Sequence, residues 1–101
     1  MSQSNIFYCL VAVEYGKRNF AKSRRWCLGE NDNYRELYNL FVHFQCQSSE
    51  TFFEKFPKDV YQVQVLLEEC QETKNGIECI QIKNEMWVKN PNYKGGIENV
   101  L

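Results

Sequence analysis

The densest run of chemistry-bearing side chains is Lys17-Arg18-Asn19-Phe20-Ala21-Lys22-Ser23-Arg24-Arg25-Trp26. Cations neutralise phosphates, and an aromatic ring can stack on an unpaired base. On an extended strand, Lys22 and Arg24 share a face with Trp26. Lys17, Arg18, Lys22, Arg24, Arg25 and Trp26 are therefore a candidate surface for single-stranded nucleic acid. Two facts weigh against it. Edge strands carry charge simply to block edge-to-edge pairing, and a net charge of −1 is not that of a dedicated nucleic-acid binder.

His43 and Cys46 stand three apart and can meet on one face of a helix. A thiol needs a neighbouring base to serve as a nucleophile. Here no third group orients the pair and no Gly-rich oxyanion loop accompanies it. A zinc site needs four ligands, usually as two closely spaced pairs. Cys27, His43, Cys46, Cys70 and Cys79 are scattered without a C-x-x-C. Glu68, Glu69 and Glu72 read as a solvated strand face rather than an acid–base set. Gly95-Gly96 lacks the strand–turn–helix setting of a phosphate loop. The residues thus prescribe no reaction, metal or cofactor, and the expectation is a non-enzyme.

The remaining candidate is an apolar patch on a hairpin. Asn-Gly is the preferred pair for a two-residue type I′ turn, so Val60 to Lys89 is expected to fold about Asn75-Gly76. With that loop Lys74 faces Ile77. One face then collects Val63, Val65 and Leu67 with Ile80, Ile82, Met86 and Val88. The other is polar, with Glu68 opposite Lys83. Cys70 and Cys79 come out diagonal, at about 7–8 Å, too far for an unstrained bridge. Leu66, Ile77 and Trp87 project from the polar face, where large apolar groups want cover. Phe52, Phe53, Phe56 or the tail can supply that cover, or a partner can. A protein interface suits the patch, because Trp anchors dominate binding energy.

These residues need elements to position them. A chain of 101 residues is one domain by length and folds without disulfide or metal. Ile6 to Tyr15 is apolar on both alternating faces, as in a central strand covered on both sides. Gly16 to Asn19 turns the chain. Phe20 to Leu28 alternates and is expected as a second strand, with a short helix as competitor. Asn33 with Glu36 makes a capping box, and Tyr34, Leu37, Tyr38, Phe41, Val42 and Phe44 recur at helical spacing, giving a helix over about 33–46. Ser48 and Ser49 start a short helix that Pro57 ends. Residues 90–101 form a loop-like tail that Ile97, Val100 and Leu101 can dock.

The predicted order is ββα, a short helix, then ββ: an α+β domain with one main helix on a mostly antiparallel four-stranded sheet. A central first strand beside a later one is β-grasp-like, and a plain meander of two hairpins is the alternative. Charge is uneven, with +4 over residues 1–29, −6 over 30–72 and +1 over the rest, which can orient a partner. The first ten residues lack the features of a signal peptide, and Ile6–Val13 is too short to span a bilayer. Five cysteines without an export signal suggest reduced thiols in a cytoplasm. The expected function is a protein-binding module, as an adaptor, inhibitor or regulatory subunit, with a homodimer as one form. Nucleic-acid binding through 17–26 is the alternative.

Overall fold

A computed structural model describes residues 6–16, 24–57 and 59–93. The chain runs β1 (Ile6–Tyr15), β2 (Arg24–Asn31), α1 (Tyr34–Cys46), α2 (Ser49–Phe52), a 3-10 turn (Phe53–Lys55), β3 (Gln62–Thr73) and β4 (Gly76–Lys89). The sheet is antiparallel throughout, in the order β2-β1-β3-β4. This is the expected α+β architecture, two hairpins joined by the β1–β3 pairing. Because β1 is central, its apolar residues on both faces have neighbours on either side. The expected second strand is present from Arg24; Lys17, Arg18, Lys22 and the proposed turn at 17–19 lie outside the described residues.

Local chemistry sets the helix limits. Asn33 Oδ1 accepts the Arg35 backbone N–H at 2.9 Å, filling one orphan donor of the first turn. The reciprocal half of a capping box is made differently. Asn33 N–H, which Glu36 would take, donates to Asn31 Oδ1 at 2.8 Å. Ser48 Oγ accepts Thr51 N–H at 3.1 Å and starts α2. Within β2, Gly29 leaves room for α1: a Cβ there would stand 2.9 Å from Leu40 Cδ2.

Helices cover one face of the sheet. Leu10, Ala12, Val63, Val65 and Leu67 point into a core closed by Leu37, Phe41, Phe52, Phe53 and Phe56. The rings meet at defined angles, with Phe44 edge-on to Phe52 at 5.8 Å and Trp26 edge-on to Phe56 at 5.2 Å. Lys55 Nζ lies 4.9 Å from the Phe44 ring centre and caps this cluster by cation–π attraction. After β4, Asn90 Nδ2 donates to Val60 O at 2.9 Å, and Tyr93 packs edgewise on Tyr61. The predicted docking of Ile97, Val100 and Leu101 falls on residues that are not described.

The hairpin exists, but its register differs from the sequence expectation. Thr73 pairs with Gly76, so Lys74-Asn75 is the loop. Asn75 keeps negative φ, and Gly76 alone is positive, at 115°. That is the pattern of a type I turn followed by a glycine bulge, rather than type I′. The pairing slips at two further points, between Leu67 and Glu68 and between Glu69 and Cys70. The lower half obeys the expected alignment, with Val63 opposite Val88, Val65 opposite Met86 and Leu67 opposite Asn84. The upper half does not. Glu68 faces Ile82 instead of Lys83, and Cys70 faces Cys79 directly. Ile80 and Ile82, expected in the core, are 49% and 48% exposed. Each slip displaces a residue that the pleat would otherwise alternate inward.

Candidate functional site

The sheet face opposite the helices has no described element over it. The register gives its composition in rows from β2 to β4. Arg25, Val13, Gln64 and Trp87 form one row; Cys27, Val11, Leu66 and Glu85 the next. Glu30, Cys9, Glu68 and Ile82 follow, and then Phe7, Cys70 and Cys79. At the centre Val11, Val13 and Leu66 are buried, packed by Cys9 and Tyr15. Long side chains around this stripe exclude water from it. The cover expected over both faces of β1 is therefore a helical layer on one side and neighbouring side chains on the other.

Glu68 is 3% exposed and holds Arg25 at 2.6 Å. A carboxylate this buried needs its charge matched, and a guanidinium arriving from two strands away supplies it. The reciprocal effect raises the Arg25 pKa, chiefly through the hydrogen bond to Glu68. The predicted Glu68–Lys83 pair is absent. Lys83 instead lies 3.9 Å from Glu69 and 5.9 Å over the Tyr34 ring.

The three patch residues behave differently. Leu66 is buried at the centre of the stripe. Trp87 is 48% exposed; its ring stacks on Tyr15 at 5.4 Å and its indole N–H donates to Glu85 at 3.1 Å. Gln64 links the same neighbours, accepting from Tyr15 OH at 3.1 Å and donating to Glu85 at 3.4 Å. Ile77 is 62% exposed near the hairpin turn. Phe52, Phe53 and Phe56 do not cover Trp87, because all three are committed to the core on the other face. Sequence reasoning placed Glu68 on the face of this patch but missed Tyr15 and Arg25 as its companions. Only the strand order brings them together.

The described part of the basic segment is paired with acids. Arg24 reaches Glu14 at 3.2 Å, and Trp26 Nε1 donates to the same Glu14 oxygen at 2.8 Å. Arg24 and Trp26 thus share a face as expected, but Trp26 is half-buried against Phe56 and its polar tip is occupied. Arg25 projects to the opposite face, toward Glu68. On α1, the exposed His43 ring contacts Gln47 Nε2 at 3.3 Å and packs edgewise on Phe44. No hydrogen bond joins it to the exposed Cys46 thiol among the described residues. No group of three or more His, Cys, Asp or Glu among the described residues is arranged to hold a metal ion. No described helix is long and apolar enough to cross a membrane.

Comparisons with protein-family models, with curated proteins and with solved structures find no match to this chain.

Proposed function

We propose that this chain is a non-catalytic protein-binding module, an adaptor, inhibitor or regulatory subunit, and that the open sheet face is its contact surface. The observation that supports this is Trp87, a half-exposed indole stacked on Tyr15 over a dry Val11–Val13–Leu66 stripe. A rigid aromatic beside an apolar floor, ringed by Arg25, Glu68, Gln64 and Glu85, resembles a binding hot spot with its polar rim. Exposed Ile77 and Ile82 extend the apolar area toward the hairpin turn. The partner is another protein or a second copy of the chain.

The alternative, nucleic-acid binding through 17–26, draws less support. Arg24 and Arg25 already face carboxylates, which leaves Lys17, Arg18 and Lys22 as its cations.

The test uses three forms of the protein: wild type, Trp87→Ala and, as a control on the helical face, Tyr38→Ala. Size and mass are measured alone and after incubation with host extract. Association that survives Tyr38→Ala and weakens about thirtyfold or more in Trp87→Ala, the loss typical of a true anchor, supports the reading. Association lost equally in both, or unchanged in Trp87→Ala, removes the open face as the contact surface. Binding to single-stranded nucleic acid that disappears in Lys17→Glu/Arg18→Glu/Lys22→Glu would replace this reading by the alternative.

A further inference from the structure

Four of the five cysteines lie on the open face, one on each strand: Cys27 on β2, Cys9 on β1, Cys70 on β3 and Cys79 on β4. They line a common groove with Arg25 and Glu68. The pairing slips in the hairpin bring Cys70 and Cys79 directly opposite each other. Directly opposed residues of an antiparallel pair have Cα atoms about 4.5–5.5 Å apart, inside the roughly 4.4–6.8 Å range of disulfides. We propose that Cys70 and Cys79 form a reversible cross-strand disulfide, so that the open face carries a thiol–disulfide site that reacts with small-molecule disulfides.

The surroundings assign separate roles to the two thiols. Cys79 is exposed and is the point of entry; Cys70 is 2% exposed and resolves. Each now donates weakly along its own strand, Cys79 Sγ to Gln81 O at 3.8 Å and Cys70 Sγ to Glu68 O at 4.0 Å. A rotation about each Cα–Cβ bond exchanges those contacts for the bridge. Burial raises the pKa of both thiols, while Arg25 opposes that rise at both and a hydrogen bond from Cys9 opposes it at Cys70. Glu68 acts the other way on each. Exchange is consequently slow at neutral pH, and its equilibrium is unaffected by that slowness.

The reaction balances in two steps. Cys79 loses its proton to solvent and attacks one sulfur of an external disulfide RSSR. The S–S bond breaks, RS⁻ leaves and takes up a proton, and Cys79 carries SR. Cys70 then loses its proton, attacks the Cys79 sulfur and displaces the second RS⁻, which is protonated. Two protein thiols are oxidised and one RSSR becomes two RSH. The bridge ties the upper half of β4, where Ile77, Ile80 and Ile82 are exposed, covalently to β3. This inference does not depend on the face binding a partner.

The experiment equilibrates the whole reduced protein with a series of reduced and oxidised glutathione ratios. Acid quenching, alkylation, digestion and peptide mass mapping follow. The expected result is a monomer lighter by two hydrogens, with one linked pair of peptides containing Cys70 and Cys79, reopened by dithiothreitol. The wild-type map identifies the pair directly, so the assignment does not depend on a variant folding. Cys9→Ser and Cys46→Ser should retain the bridge, and Cys79→Ser should lose it. Thiols that all stay free, oxidation that halts at glutathionylated Cys79, or a linkage joining any other pair would overturn the proposal.

Discussion

The two faces of this sheet keep water from β1 in different ways. On one, Leu10 and Ala12 lie beneath a layer of helix and aromatic rings, and Phe52 and Leu67 are wholly buried. On the other, Val11, Val13 and Leu66 lie beneath the side chains of adjacent strands, where Arg25 meets Glu68 and Trp87 meets Tyr15. The residues of β1 look alike on both faces, and their burial differs little. What differs is what would move if a side chain were removed. A packed layer leaves a cavity, whereas long side chains on an open face can collapse into the space. Among the described residues, the low exposure of Val11 and Val13 is reached without a second layer.

That comparison breaks or sharpens by measurement. The largest effect should come from the helical face, where Phe52→Ala is expected to cost about 3–5 kcal/mol of folding stability. Leu66→Ala on the open face should cost about 2 kcal/mol, at the low end of core truncations, because its surroundings can relax. Equal losses in denaturant titrations would mean that the open face is packed as rigidly as the other.

Glu68→Gln removes a buried charge from beneath Arg25 and should cost about 1–3 kcal/mol. Lys83→Ala, at an ion pair of 3.9 Å, should change stability by less than about 1 kcal/mol. A Lys83 effect as large as that of Glu68 would contradict the different weights assigned to the two pairs. Trp87→Ala loses a stacked ring, worth about 1 kcal/mol beyond its buried area, and should leave a cooperative melt. A loss near that of Phe52→Ala would make Trp87 a core residue and take the anchor from the proposed binding surface.

At the hairpin turn, Gly76→Ala should cost about 1 kcal/mol, because alanine is strained at positive φ. Asn75→Ala should cost no more than a few tenths, since Asn75 has no positive φ to lose. The reverse ranking would restore the type I′ turn. A further effect concerns pH. Burial and neighbouring thiols push the Cys9 pKa from 9.0 up to about 12. As pH rises above 9, the unfolded thiol ionises while the folded one keeps its proton. Stability should therefore fall between about pH 9 and 12. Cys9→Ser should flatten part of that decline, and an unchanged slope would show that Cys9 does not contribute.

Some of this molecule was legible in the chain itself. Asn33 and Ser48 announced their helix starts, and the two-sided apolar run of β1 marked a central strand. Asn75-Gly76 located the reversal of the hairpin. Each depends on hydrogen bonds or φ preferences spanning a few residues, so the amino-acid types carry them. The candidate surface was only partly legible. Trp87 stood out as an aromatic on a polar face that it shares with Glu68, but Tyr15 and Arg25 gave no local sign that they would join them.

Tertiary structure decided those companions, along with the register of the upper hairpin. An edge strand has one neighbour, so β4 is free to slip where no core residue pins it. Below, Val63, Val65 and Leu67 hold β4 in the predicted alignment. Above Leu67, β4 meets α1 at the Tyr34 ring beneath Lys83, and two irregularities bring Cys79 opposite Cys70 and leave Ile80 and Ile82 exposed. Glu68 is paired by an arginine on β2 because β1 intervenes between β2 and β3, an adjacency set by strand order rather than by sequence neighbours. Patterns within a strand name the side chains on each face; only the packed sheet determines which of them meet.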